Sequence, residues 1–281
     1  MLLYRLLFTT FFLFAFLSCQ DGSREKKTGH GLPVHSRNEN KESYDTLVTC
    51  LERLKQDPYL ESADLGYFII DITTKNPVVV AEYQAKKALI PASTLKIFVT
   101  GAALEIFGPS IIKEVNITNM MSVNWRSSKL LRKIGGQKYQ SATTTAGARA
   151  ILQFWQEKGV DTDGMVFDDG NGLSRNNAIS PKQLVDALYS MQTSPFFQPF
   201  YESLPLAGLS GTLRKAMKGT AAEGRVRAKT GTIASVKSFA GYAHTVSGRR
   251  VVFSIIVNNY DGRVKNMKKK LEGVMVKIAE L

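Results

Sequence analysis

Strand signals in this chain fall into two blocks that lie far apart, and this constrains the fold more than any other feature. Residues 65–71 (Leu-Gly-Tyr-Phe-Ile-Ile-Asp) predict a strand, Thr74 to Asn76 a turn, and residues 77–82 a second strand. The next strand signals come only at residues 226–232, 238–245 and 250–258, with Ser247-Gly248 as a hairpin turn. The stretch between the blocks reads as mostly helical. A helix should start near Ser93 and run to about Phe107, where Gly108-Pro109 stops it. Residues 109–140 are hard to read, with helical signal around 127–134. Residues 143–158 and 180–191 read as helices, the second capped by Ser180 with Pro181 in its first turn. Val264, Met267, Leu271, Val274 and Ile278 recur at helical spacing near the end of the chain and should face a core. The implied class is α+β: both ends of the chain share one antiparallel sheet, and a helical region of about residues 93–222 is inserted between them.

The 281 residues, 44% hydrophobic and 10% aromatic, suit one large domain or two small ones with a full core. A formal charge of +13 raises the question of anionic partners. Lys265, Lys268, Lys269 and Lys270 point to water in the helical register above, as charge runs usually do, and no nucleic-acid module accompanies them. No nucleic-acid partner is expected.

At the N-terminus, Arg5 precedes an apolar run over residues 6–17, too short to span a bilayer and suited to a signal sequence. Phe16-Leu17-Ser18-Cys19 resembles a lipobox with Phe in the usual Leu position. The expectation is a signal peptide over residues 1–18, lipid on Cys19, a polar tether over 19–43 and a folded domain over 44–281; an ordinary secretory signal is the alternative. Either places the protein outside the cytoplasm, and the first predicts a periplasmic lipoprotein of a Gram-negative-type envelope, attached to a membrane by its lipid. Cys50 is then the remaining thiol, expected as a small buried hydrophobe.

The chemistry begins from a shortage of bases. Of three histidines, His30 and His35 lie in the expected tether and His244 in a predicted strand, so a Ser-His-Asp triad has no well-placed base. Histidines and cysteines are too few to cluster around zinc, and no metal or organic cofactor is expected. A serine hydrolase can use lysine instead. Ser93-Thr94-Leu95-Lys96 puts a hydroxyl and an amine on one face at a predicted helix start, within hydrogen-bond reach. Alone this motif is weak. Lys229-Thr230-Gly231 on a predicted strand, followed by Thr232, and Ser174-Arg175-Asn176 in a Gly- and Asn-rich loop strengthen it.

These motifs, S-x-x-K, S-x-N and K-T-G, resemble the signature of penicillin-binding proteins and serine β-lactamases. The loop Asp169-Gly170-Asn171-Gly172-Leu173-Ser174-Arg175-Asn176-Asn177 and the runs 204–214 and 224–232 resemble the D-alanyl-D-alanine carboxypeptidase/endopeptidase family typified by penicillin-binding protein 4. Members usually carry large inserted domains between the first and second motifs, which are absent or nearly so here. Asn171 stands for the usual Ser and Ser210 for the usual Asp. A second S-x-N, Ser122-Val123-Asn124, looks like a different family segment, on a helix, whose usual central Asp is missing. We assign Ser174 and Asn176 as the catalytic pair.

The resemblance implies a penicillin-binding/β-lactamase-like transpeptidase fold acting on peptidoglycan stem peptides and trapped by β-lactams. Ser93 would attack the penultimate D-Ala carbonyl and Lys96 would take its proton, made neutral by burial and the charge of Lys229. Ser174 would pass a proton to the leaving amine and Asn176 would orient Lys96. Lys229, Thr230 and Thr232 would hold the terminal carboxylate, and Gly231 would let the backbone approach the substrate. A catalytically inactive peptidoglycan-binding module and a serine β-lactamase or esterase are the competing readings.

Overall fold

The computed structural model describes residues 41–281. The signal segment, Cys19, His30 and His35 lie outside the described residues. Five strands, β1 (Asp64–Asp71), β2 (Val78–Tyr83), β3 (Val226–Ile233), β4 (Val236–His244) and β5 (Arg250–Asn258), form one antiparallel sheet in the order β2-β1-β5-β4-β3. The two sequence blocks meet where β1 pairs with β5, Asp64 opposite Asn258 through Asp71 opposite Val251.

Both faces of the sheet are covered, which is why its strands read as almost unbroken apolar runs. Period-two alternation sends Tyr67, Ile69, Phe253 and Ile255 to one face, against α1 (Lys41–Lys55) and α8 (Val264–Glu280). Phe68, Ile70, Val252 and Ile256 go to the other face, against the helical region. On α8, Met267, Leu271, Val274 and Ile278 are buried as expected, whereas Val264, in its first turn, is 40% exposed. The lysines of α8 face outward, and Lys268 and Lys270 pair with Glu272 and Asp57.

The helical region comprises α2 (Lys96–Phe107), α3 (Ile112–Met120), α4 (Asn124–Tyr139), α5 (Thr144–Glu157), α6 (Pro181–Met191) and α7 (Phe197–Ser203). Ser180 caps α6 in a reciprocal capping box with Gln183. At its centre lies α2, buried at every position from Lys96 to Leu104 and apolar over that stretch except for Lys96 and Thr100. Trp155 of α5 donates its indole N–H to the Phe98 carbonyl at 3.1 Å and meets the Phe98 ring edge-on at 5.6 Å. Removing this fully buried side chain with Trp155→Ala should cost about 3–5 kcal/mol, the usual range for a large aromatic in a core, read as a fall in the urea midpoint.

Candidate active site

Ser93 sits in a single 3₁₀ turn, Ala92–Leu95, that leads into α2. Three polar side chains pin this turn in place. Asn258 accepts from the Ile90 N–H (2.7 Å) and donates to the Ile90 carbonyl (3.0 Å). Ser238 and Thr94 both donate to the Pro91 carbonyl at 2.6 Å. Ala92 is thereby held at a φ of +49°, a region costly for a residue with a Cβ, immediately before the serine.

Two close approaches complete the turn's housing. A Cβ on Gly172, itself at a φ of +84°, would fall 2.0 Å from the Ala92 carbonyl oxygen. One on Gly231 would lie 2.1 Å from Ser238 Oγ and 2.8 Å from the Pro91 carbonyl oxygen. Gly231 is therefore required for β3 to reach the turn that carries Ser93. That differs from the expectation that it clears space for substrate.

Lys96 Nζ lies 2.8 Å from Ser93 Oγ, 2.9 Å from Asn124 Oδ1 and 2.5 Å from the Asn171 carbonyl oxygen. Burial lowers its pKa to about 7, with Asp169 pulling the other way. A neutral amine has two N–H bonds and one lone pair. Two of the neighbours are oxygens that can only accept, so they take the N–H bonds and leave the lone pair to Ser93. Lys229 is also fully buried. Its Nζ donates to Ser122 Oγ at 2.9 Å and to the Thr230 carbonyl at 3.0 Å. Burial pushes its pKa well below the ordinary lysine value, and the charges of Lys96 and Lys237 push the same way.

The assignment of the second motif is corrected here. Ser122 and Asn124, at the junction of α3 and α4, are the residues in contact with the two lysines. Ser122 holds a φ of +55°, a second positive-φ residue at the site after Ala92. Ser174 and Asn176 belong to a loop folded around Asp169. Its carboxylate accepts from the N–H groups of Asn171, Gly172, Leu173 and Ser174 and from Asn177 Nδ2. Burial alone would raise the pKa of Asp169; these donors outweigh it and lower the pKa. Ser174 Oγ accepts from the Asn176 N–H at 3.1 Å, and neither side chain has a hydrogen bond to either lysine. The loop's contribution is the Asn171 carbonyl, steadied by Asn171 Nδ2 donating to Ser128 Oγ and by Ser127 bonding to the Gly170 carbonyl.

On β3, Ala207 N–H donates to the Val226 carbonyl and Ala228 N–H to the Pro205 carbonyl, so these main-chain groups point away from β4. By the alternation of an antiparallel ladder, Thr230 and Thr232 point theirs the same way. Thr230 Oγ1 donates to Thr212 Oγ1 at 3.1 Å, and Thr232 is exposed. His244 is exposed at the end of β4, in edge contact with Tyr201.

The sheet, the central helix and the paired lysines around one serine define the penicillin-binding/serine β-lactamase-like class. The model of the D-Ala-D-Ala carboxypeptidase 3 (S13) family matches residues 47–118 and 109–279, and the chain belongs to that family. It is 39% identical over 146 residues to a D-alanyl-D-alanine carboxypeptidase of Actinomadura sp., covering 50% of this chain and 27% of that protein. It is 28% identical over 142 residues to the D-alanyl-D-alanine carboxypeptidase DacB of Haemophilus influenzae, covering 50% and 30%. The chain thus spans about a third or less of these relatives' length. Among solved structures, penicillin binding protein 4 of H. influenzae in complex with a β-lactam superposes with a TM-score of 0.53 at 25% identity, over 59% of this chain and 39% of that one. A class A β-lactamase of Bacteroides cellulosilyticus gives 0.63 at 13% identity over 85% and 97%, a likeness of fold alone.

Because Asn124 holds the Lys96 amine and Asn176 does not, Asn124→Ala should slow acylation by a fluorescent penicillin by about two orders of magnitude, the scale typical of a lost positioning contact. Asn176→Ala should stay within a few-fold of the parent in the same assay.

Proposed function

We propose that the protein is a serine D-Ala-D-Ala carboxypeptidase/endopeptidase that cleaves peptidoglycan stem peptides through an acyl-enzyme on Ser93. The observation that carries this reading is the buried Lys96 amine, with both N–H bonds taken and its lone pair left for Ser93. Ser93 Oγ attacks the carbonyl carbon of the penultimate D-Ala as its proton passes to Lys96 Nζ. The oxyanion lies between the N–H groups of Ser93 and Thr232, where a single donor is typically worth ~3 kcal/mol. Because Ser122 Oγ accepts from Lys229, its own hydrogen can go to the departing D-Ala amine as the C–N bond breaks, while the Lys229 ammonium passes a proton to Ser122 Oγ. Water then hydrolyses the ester; Lys96 returns its proton to Ser93, and the product acid's proton restores Lys229. In a β-lactam the leaving amine stays tethered to the acyl group, so Ser93 remains blocked.

Lys229 binds the substrate's terminal carboxylate, which restores the cation that burial disfavours. No inserted domain separates α2 from α3 and α4, and Trp125 and Leu173 are exposed beside the site, 59% and 51%. That open mouth favours a cross-linked peptide as well as a monomer. The reading also includes export and lipid anchorage at Cys19 in a Gram-negative-type envelope.

Purified protein should form a stable adduct with fluorescent penicillin that Ser93→Ala abolishes, and should release D-Ala from a pentapeptide. Rapid penicillin turnover would instead identify a β-lactamase. No adduct and no turnover would leave a binding module. Since Lys96 acts in its neutral form with a pKa of about 7, the acylation rate should climb as pH rises through 7 and then level off. Metabolic labelling with palmitate should tag the parent chain and not Cys19→Ala.

A further inference from the structure

A third lysine is buried beside the site. Lys237 on β4 is 4% exposed, and its Nζ donates to Thr232 Oγ1 at 2.5 Å across the β3–β4 ladder. Its ammonium also sits 4.8 Å from the centre of the Phe239 ring. Among the described residues no carboxylate lies within ion-pair distance of it; the nearby Glu272 is paired to Lys268 at 3.4 Å. A cation enclosed without a counter-ion is a poor choice for packing alone, because an apolar side chain of similar length would fill the space without the desolvation cost.

The hydrogen bond has a directional consequence. Thr232 Oγ1 accepts from an ammonium that can only donate, so the hydroxyl's single hydrogen must point elsewhere. Thr232 is exposed on the sheet's edge strand, one residue past Gly231, so its O–H is free to donate to a ligand lying along that edge. Lys229, three residues back on the same strand, brings the second buried cation.

We propose that Lys237 is a positioning residue for substrates that carry a carboxylate on the leaving group: it fixes Thr232 as a hydrogen-bond donor and adds a second positive charge behind it. Burial lowers its pKa to about 8, so it is mostly protonated near neutrality, and an anion bound at Thr232 strengthens that state. The inference rests on the serine acyl-transfer reading above and extends it to the recognition of the scissile end.

The test uses the full chain and two acyl-D-Ala thioesters, one with thioglycolate as the leaving group and one with benzyl mercaptan. The first leaving group has a carboxylate and the second has none. Lys237→Met keeps the length of the side chain and removes its charge. It should lower kcat/KM about tenfold for the thioglycolate ester and less than twofold for the benzyl ester, with the loss mainly in KM. Lys237→Arg should recover part of the difference. An equal loss on both esters would make Lys237 a purely structural residue, and no loss on either would remove it from the site; both overturn the proposal. Failure of the parent protein to turn over either ester would instead count against the serine mechanism itself.

Discussion

An amine excluded from water must either give up its proton or find an anion, and Lys96 is placed where the first of these is chemically useful. Fully buried, it touches two oxygens that can only accept and one hydroxyl. Much of the surrounding structure supplies those partners. The start of α4 provides Asn124, the loop folded around Asp169 provides the Asn171 carbonyl, and the first turn before α2 provides Ser93. Each comes from a different part of the chain, so the arrangement exists only when α4 and the Asp169 loop are packed against the turn that leads into α2. A local loss of packing at any of the three would rehydrate the amine and return it toward an ordinary lysine.

Two of the seven non-glycine residues with positive φ among the described residues lie at the site. Ala92 and Ser122 both adopt positive φ, and each adjoins or is a hydroxyl-bearing residue of the site. The strain is held by identifiable contacts: the Asn258, Ser238 and Thr94 bonds to residues 90 and 91, and the Lys229 bond to Ser122. The close approach of Gly172 to the Ala92 carbonyl leaves the turn no room to relax toward the loop. Preorganisation of this kind places the cost in folding and not in the reaction step.

The strands were legible because β-branched and apolar content are local signals; β5 falls on the residues expected for it, and the two-block spacing implied one shared sheet without saying which strands pair. Three helices were not assigned. α7 holds Pro199 in its first turn, where a missing N–H does no harm, yet in a sequence proline reads as a breaker. α3 carries Asn116, Thr118 and Asn119, weak helix formers on any propensity scale, and α1 follows directly on the polar segment. At the site, the closeness of Ser93 and Lys96 was legible because a single turn fixes it, and Lys229 could be placed on a strand by its local pattern. The second S-x-N could not, because two candidates existed and the choice depends on which segment folds against α2. The Asn171 carbonyl has no side-chain signature at all. Ser174 and Asn176 lie in a loop whose Gly- and Asn-rich sequence serves the Asp169 turn, and that role is the physical source of the conflict.

The charge arrangement ties these observations to one kind of ligand. Lys96, Lys229 and Lys237 are all buried around the end of β3, and the carboxylate that acts on Lys96, Asp169, has its oxygens occupied by loop N–H groups. The three buried lysines therefore concentrate positive charge in a region of low dielectric, which favours losing protons from them. An anionic ligand reverses that preference, raising the proton affinity of Lys229 and Lys237 by the same interaction that binds it. At Lys96 the nearby Asp169 carboxylate favours the charged form while burial opposes it. Burial thus disfavours the charged form of all three lysines, and an anion placed beside one of them favours it.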